Sequence, residues 1–346
     1  MPVHDLGYRS WTGKRVPRLL RPWVVARSGI ALVWRRKWLR MMILLAWLPI
    51  VFPVLGIFAF EFSSTAPDLQ RLIAMVMRSP IIDQAELADL IITDPDSARH
   101  RVWATLILSF FRYPQAVAMV LVVGLIAPMM ISYDLRSKAY LLYFSRPLLP
   151  SEYIVGKTGV VWFFLMMIST IPALALYVLG VMLSPDLSVI GETWDIPMKI
   201  MAATAVLVIP TTALALCYSA FTSESRYATF AWFATWAMGG VAYRILTFAG
   251  QPPRFDRPPD GFRRGGGPPW QRRRSVSEDW QQWSENIDYD KWRLLSPYDT
   301  LGKVESWVFG LDTTPASVIP AILLLVAITV VCVWVVRNRI VARLSV

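Results

Sequence analysis

"SEYIVGKTGVVWFFLMMISTIPALALYVLG", residues 151–180, admits two incompatible folds. Read through Gly156-Lys157-Thr158, it is the end of a nucleotide-binding loop and demands a soluble α/β domain with a buried strand just before it. Read through the apolar residues after Thr158, it is a membrane helix. The loop pattern needs a glycine five residues before Gly156, so that backbone N–H groups close around phosphates, and that position is Ser151. The preceding "SRPLLP", residues 145–150, carries two prolines, which deny ladder hydrogen bonds and oppose a central strand. The apolar run 158–183 is long enough to cross the roughly 30 Å hydrocarbon layer. The stretch therefore reads as a membrane helix that opens with a lysine.

Composition agrees. Of 346 residues, 55% are hydrophobic and 17% charged, against about 25% charged in ordinary soluble domains. The net charge of +11 comes from basic residues beside apolar runs, where they face lipid headgroups and fix orientation, so the bilayer and no nucleic acid is the expected partner. Cys217 and Cys332 fall inside apolar runs, and His4 and His100 lie outside them. Neither a disulfide framework nor a metal site is expected, and no cofactor.

Six spans are expected at about 41–60, 113–132, 158–183, 199–221, 227–249 and 315–336. The second is preceded by "VWATLILSFFRYP", also apolar, so its helix extends toward Val102 with a bend around Pro114. Prolines at 49, 53, 128, 172 and 210 are tolerable where neighbouring helices satisfy the freed carbonyls. Residues 1–40 carry ten Lys and Arg, whereas 61–101 carry four against seven acids. The positive-inside rule then places both termini in the cytoplasm, together with the loops 133–157 and 222–226. No signal peptide is expected, because forty basic, Trp-containing residues precede the first span, which stays as an anchor.

The chain divides into four regions: a basic N-terminus (1–40); spans one to five (41–249) with an external helical loop (61–101); a long external loop (250–314); and a last span with a basic tail (315–346). In 1–40, Trp23, Ala26, Ile30, Trp34 and Trp38 recur at spacings of three and four among arginines, as in an amphipathic helix lying on the membrane face. It could be a simple anchor. In the first outer loop, Ser79, Pro80, Ile82, Leu87 and Leu90 suit a small helical cap. The stretch "QPPRFDRPPDGFRRGGGPPWQRRR", residues 251–274, has almost nothing to bury and suits disorder or an extended chain, or an Arg/Trp surface for an anionic ligand. Beyond it Trp280, Trp283 and Trp292 suit a short interfacial helix.

The loop between spans two and three reads "SYDLRSKAYLLYFSRPLLPSEYIVGKTG", residues 132–159. Leu135 to Phe144 form a short helical pattern, ended by Arg146-Pro147. With Asp134, Arg136, Ser145-Arg146-Pro147, Tyr153 and Gly156-Lys157, this loop resembles that of the ABC-2 type permease family, membrane subunits of bacterial ABC exporters. Leu295-Ser296-Pro297 before the last span is also similar to a family feature. Lys138-Ala139-Tyr140 departs from it, standing where a small residue and glycine are common.

The resemblance implies an all-α polytopic fold with six spans, an interfacial N-terminal helix and a cytoplasmic coupling helix, in the bacterial inner membrane. It implies a permease subunit, an exporter driven by a separate ABC-type ATPase that docks on Asp134, Arg136, Tyr143, Arg146, Pro147, Glu152, Tyr153 and Lys157. A second permease copy, or a related permease, completes the pathway. On this reading Trp23, Ile30, Trp34 and Trp38 belong to the interfacial helix, and the chain has no catalytic residue and no ATPase site of its own. Lys157 either fixes topology alone or also contacts the ATPase. The rival reading is a membrane anchor or assembly subunit that transports nothing. A membrane enzyme or ion-coupled transporter would need carboxylates, His or Lys inside the spans, and the expected spans lack them.

Overall fold

In a computed structural model of the chain, the described residues are 17, 20–63, 67–77, 85–139, 148–186, 188–249, 289–312 and 314–344, and every regular element among them is helical. The order is α1 (Arg21–Trp34), α2 (Lys37–Ser63), α3 (Pro67–Met77), α4 (Ala85–Thr93), α5 (Ser97–Arg136), α6 (Pro150–Leu183), α7 (Val189–Phe221), α8 (Ser225–Ala249), α9 (Tyr289–Arg293), α10 (Pro297–Val308) and α11 (Pro315–Leu344). Five of these, α2, α5, α6, α7 and α11, are long and apolar enough to cross a membrane. The segment expected as the fifth span is helical, as α8, but is not among those five, because Trp, Tyr, Thr and Gly dilute its aliphatic content.

The second expected span corresponds to only part of α5, which runs for 40 residues, about 60 Å at the helical rise. The expected bend is there: a π-helical turn, Gln115–Met119, follows Pro114. The longer helix also carries Arg112, just before the expected span, against α10.

Two prolines leave carbonyls that other helices satisfy. Pro128 cannot donate to Gly124 O, four residues earlier; Thr229 Oγ1 of α8 donates there instead, at 3.2 Å. In α6 the turn Met166–Thr170 is π-helical, with Ile171 N–H bonded to Met166 O, so Pro172 would owe its bond to Met167 O. The Trp47 indole of α2 makes that bond at 2.8 Å. Trp47→Phe should therefore cost about 1–2 kcal/mol through an unsatisfied carbonyl. An unchanged thermal midpoint in detergent would overturn this account.

One apolar core runs through α1, α2, α5, α6, α7 and α8, with Trp103, Phe111, Phe164 and Trp232 among its largest side chains. A smaller cluster joins Phe60, Ala74, Leu87, Ala88, Ile91 and Val102, so α3 and α4 cap one end of the bundle. Leu87 is buried there and Leu90 packs against it, while Ser79, Pro80 and Ile82 of the expected cap lie outside the described residues. At the same end His100 and Lys199 both hold Asp195, at 3.0 and 2.7 Å. Ser296 caps α10 by accepting from Asp299 N–H at 3.3 Å, and Pro297 takes the first helical position. Residues 251–274, Trp280 and Trp283 fall outside the described residues; Trp292 is exposed on α9.

Candidate functional site

The site is built at the opposite end of the bundle, where α5 stops and α6 starts. At Ile131 the α5 backbone relaxes to φ −114°, and Ser219 of α7 catches it: its hydroxyl accepts from Ile131 N–H at 3.1 Å and Ser132 N–H at 3.0 Å. Ser132 Oγ returns a bond to Ser219 O at 2.8 Å. The chain then makes one more helical turn, Ser132–Arg136, which points Asp134 inward.

Across from it, α6 begins as helix chemistry dictates. Pro150 sits at the first helical position, where its missing N–H costs nothing. Glu152 reaches back to Leu149 N–H at 3.0 Å, and its charge suits the positive end of the helix. One turn on, Tyr153 and Lys157 share a face directed at α5.

The result is a buried polar cluster. Lys157 Nζ lies 2.7 Å from Asp134 Oδ2, and the Tyr153 hydroxyl donates to the same oxygen at 2.7 Å. Asp134 and Lys157 are each 6% exposed and Tyr153 is 2% exposed. An ion pair in so apolar a setting persists because each charge is matched and hydrogen-bonded. Its geometry joins α5 to α6 on the two sides of the connecting loop.

This arrangement also settles the Gly156-Lys157-Thr158 tripeptide, which lies inside a helix. Gly156 is where α1 crosses α6: a Cβ there would stand 2.6 Å from Val25 Cβ and 2.8 Å from Pro22 O. A Cβ on Gly29 would likewise meet Val160 Cγ2 at 2.6 Å, and Ala26 faces Gly159. Small residues let the two backbones approach closely. Arg21 and Glu152, 3.9 Å apart, add a charge contact at the same crossing. Gly156→Ala should cost about 1–3 kcal/mol and loosen α1, read as a lower thermal midpoint and faster proteolysis of residues 20–36; an unchanged protein would refute the close crossing.

The residues expected to form the docking surface thus divide. Asp134, Tyr153 and Lys157 come together and are buried, turned inward by their short, matched bonds. Arg136 is exposed and 3.5 Å from Glu224 at the α7–α8 turn. Glu152 is tied to Leu149 and Arg21. Tyr143, Arg146 and Pro147, and most of the expected coupling helix 135–144, lie outside the described residues. Lys138 takes φ +55° just past the last helical turn, a conformation in which glycine is at home.

On α1 the buried face is Val25, Ala26, Gly29 and Val33, rather than the tryptophan stripe. Trp23 and Trp34 are exposed beside it, Ile30 is half-buried, and Trp34 also stacks on Phe164 with centroids 6.3 Å apart, whereas Trp38, expected on the same helix, falls on α2 because the backbone turns extended at Arg36 (ψ 112°), and it is exposed there. Sequence reasoning missed the Ser132–Ser219 clamp and the Gly29–Gly156 crossing. The second had a local signal, Gly156 and Gly159 framing Lys157 on a membrane helix.

A family model described as an ABC-2 family transporter protein matches residues 35–339, from the turn between α1 and α2 into the last helix. No curated protein matches the chain. Because the match takes in all five apolar helices, α8 and the Asp134–Lys157 cluster, the chain is a multi-pass membrane protein that belongs to the ABC-2 transporter family, whose members are membrane permease components of transporters.

Proposed function

We propose that this chain is the permease subunit of an ABC exporter, moved by a separate ATPase that docks on the loop between α5 and α6. One observation carries the reading: Asp134, Tyr153 and Lys157 bolt the two helices flanking that loop together, and Gly156 bolts α1 to them. Force applied to the loop is therefore passed to three helices at once. Arg136, Tyr143, Arg146 and Pro147 meet the ATPase on this reading. Glu152 and the three buried residues brace them.

With α8 counted as a span, the total is six. Its 25 residues extend about 37 Å, and Phe230, Met238, Val241 and Ile245 lie exposed along it, which supports a lipid-facing helix. Six spans put both termini in the cytoplasm of a bacterium, with α1 on the inner leaflet and Trp23, Ile30, Trp34 and Trp38 toward headgroups. Leu44, Phe52, Leu323, Val330 and Trp334 leave α2 and α11 with broad apolar outer faces, which support pairing with a second permease. A crevice of about 280 Å³ between α7, α10 and α11, lined by Val206, Ile209, Val304, Leu325 and Val330, suits an apolar or amphipathic substrate.

The test is to purify the tagged protein from its native membrane in mild detergent and identify a co-purifying ATPase, with Arg136→Glu and Arg146→Glu in parallel. Retention by the wild type and loss by the variants, with folding unchanged, is the expected result. A folded protein that brings down no ATPase would favour a non-transporting anchor.

A further inference from the structure

A second buried polar joint lies far from the loop. Near the middle of α5, Arg112 and Gln115 meet Glu305 of α10. Gln115 Nε2 donates to Glu305 Oε1 at 2.9 Å, and Arg112 Nε stands 3.8 Å from Glu305 Oε2. The same guanidinium donates to Tyr298 O at 3.1 Å and lies 4.4 Å over the Tyr298 ring. Gly302 makes room for it, since a Cβ there would fall on the guanidinium itself. Glu305 and Gln115 have no exposed surface. Among the described residues, Glu305 Oε2, Arg112 Nε and Gln115 Oε1 are buried without a hydrogen-bond partner.

A carboxylate so enclosed, with one incomplete ion pair, is costly when charged. Protonation removes that charge and still leaves Glu305 Oε1 to accept from Gln115 Nε2. The joint also sits where α5 is easiest to rewind, at the π-turn that begins with Gln115. We propose that Glu305 is a proton-binding site that latches α10 to the bend in α5: protonated it holds the two together, and deprotonated it drives them apart.

Burial pushes the Glu305 carboxyl up from 4.5 to about 7, even with Arg112 and Gln115 pulling the other way. A raised pKa means that protonation favours the buried arrangement. The advantage is complete below about 4.5 and is lost as pH rises through 7, so the latch closes on the acid side. The groups around it are few. From α5 they are Arg112 and Gln115, and from α10 itself Tyr298, while Lys303 is engaged by Asp312 at 2.6 Å. α11 offers no Asp, Glu, Lys, Arg, His or Tyr between Pro315 and Val336. On α7, Glu192 pairs with Arg99, and Asp195 with His100 and Lys199, while Cys217 and Tyr218 lie toward the other end. On α8, neither Arg226, Tyr227, Tyr243 nor Arg244 bonds to Glu305. The latch stands independently of ATPase docking.

The test uses the full chain in lipid nanodiscs. Infrared difference spectra across pH 7 should show a protonated-carboxyl carbonyl band lost with a midpoint near 7, and Glu305→Gln should lack it. Spin labels at Ser109→Cys and Trp307→Cys, in a Cys217→Ala, Cys332→Ala background, should gain a longer distance above that midpoint; with Glu305→Gln the short distance should persist at every pH. Gln115→Leu removes a bond to the charged form, so the midpoint should move to higher pH. The proposal fails if no band depends on Glu305, if Gln115→Leu leaves the midpoint in place, or if the band titrates while the distance stays fixed.

Discussion

Replacing Asp134 with leucine is expected to destabilise the protein by about 3–5 kcal/mol, the cost of stranding a buried charge. Lys157 would keep its 6% exposure and lose the partner 2.7 Å away, and the Tyr153 hydroxyl would lose its short acceptor and keep the longer contact to Met130 O at 3.4 Å. Asp134→Asn should cost less, because the amide oxygen still accepts from Tyr153. Asp134→Leu combined with Lys157→Met should recover most of the loss, since two apolar side chains of similar size replace a desolvated pair. Thermal unfolding in detergent gives the ranking; a double variant no better than Asp134→Leu alone would mean that the pair is not the source of the cost. The same series probes coupling. If the cluster transmits force, the double variant should fold yet stimulate the partner ATPase less on substrate addition, because matched charges fix the angle between α5 and α6 more tightly than apolar contact does.

Legibility in the sequence is a matter of range. Apolar runs announce spans because a bilayer demands about 20 such residues in a row, and all five apolar helices were legible that way. Pro128 and Pro172 announced that neighbours must supply donors, although Thr229 and Trp47 could not be named. Asp134, Tyr153 and Lys157 were singled out through the family pattern. Their burial was not visible, since it depends on how α5 and α6 turn about their axes. Gln115 and Glu305 bond across 190 positions, and Arg112 lay just outside the expected second span. On α1 the large tryptophans carry the sequence pattern, whereas small Gly29 and Ala26 set the contact, because close packing against α6 rewards the absence of side chain.

Glu61→Leu is expected to cost about 3 kcal/mol, at the lower end of the range for breaking a buried pair. Glu61 ends the first apolar run, where it reads as the opening residue of an outer loop, yet it is only 3% exposed. Trp103 Nε1 donates to its Oε1 at 2.9 Å, Ser184 Oγ donates to its Oε2 at 3.2 Å, and Arg99 Nε stands 3.4 Å from Oε1. One carboxylate therefore ties the end of α2 to α5 and to the last turn of α6. Gly180 completes the fit, since a Cβ there would come within 2.8 Å of the Trp103 ring. Leucine would leave the indole N–H buried and unpaired. Arg99 would fare better, because Glu192 still holds it at 3.0 Å, and this keeps the expected loss from reaching the top of the range. Glu61→Gln separates the two contributions: its amide oxygen can still accept from Trp103 or Ser184, so it should cost roughly 1–2 kcal/mol less than leucine if neutral hydrogen bonding dominates. Equal losses for Gln and Leu would instead assign the stabilisation to the Arg99 charge. In either case the far end of α2 should become the first part of the bundle to loosen, detectable as faster backbone exchange at residues 57–63 while 131–136 and 150–160 stay protected.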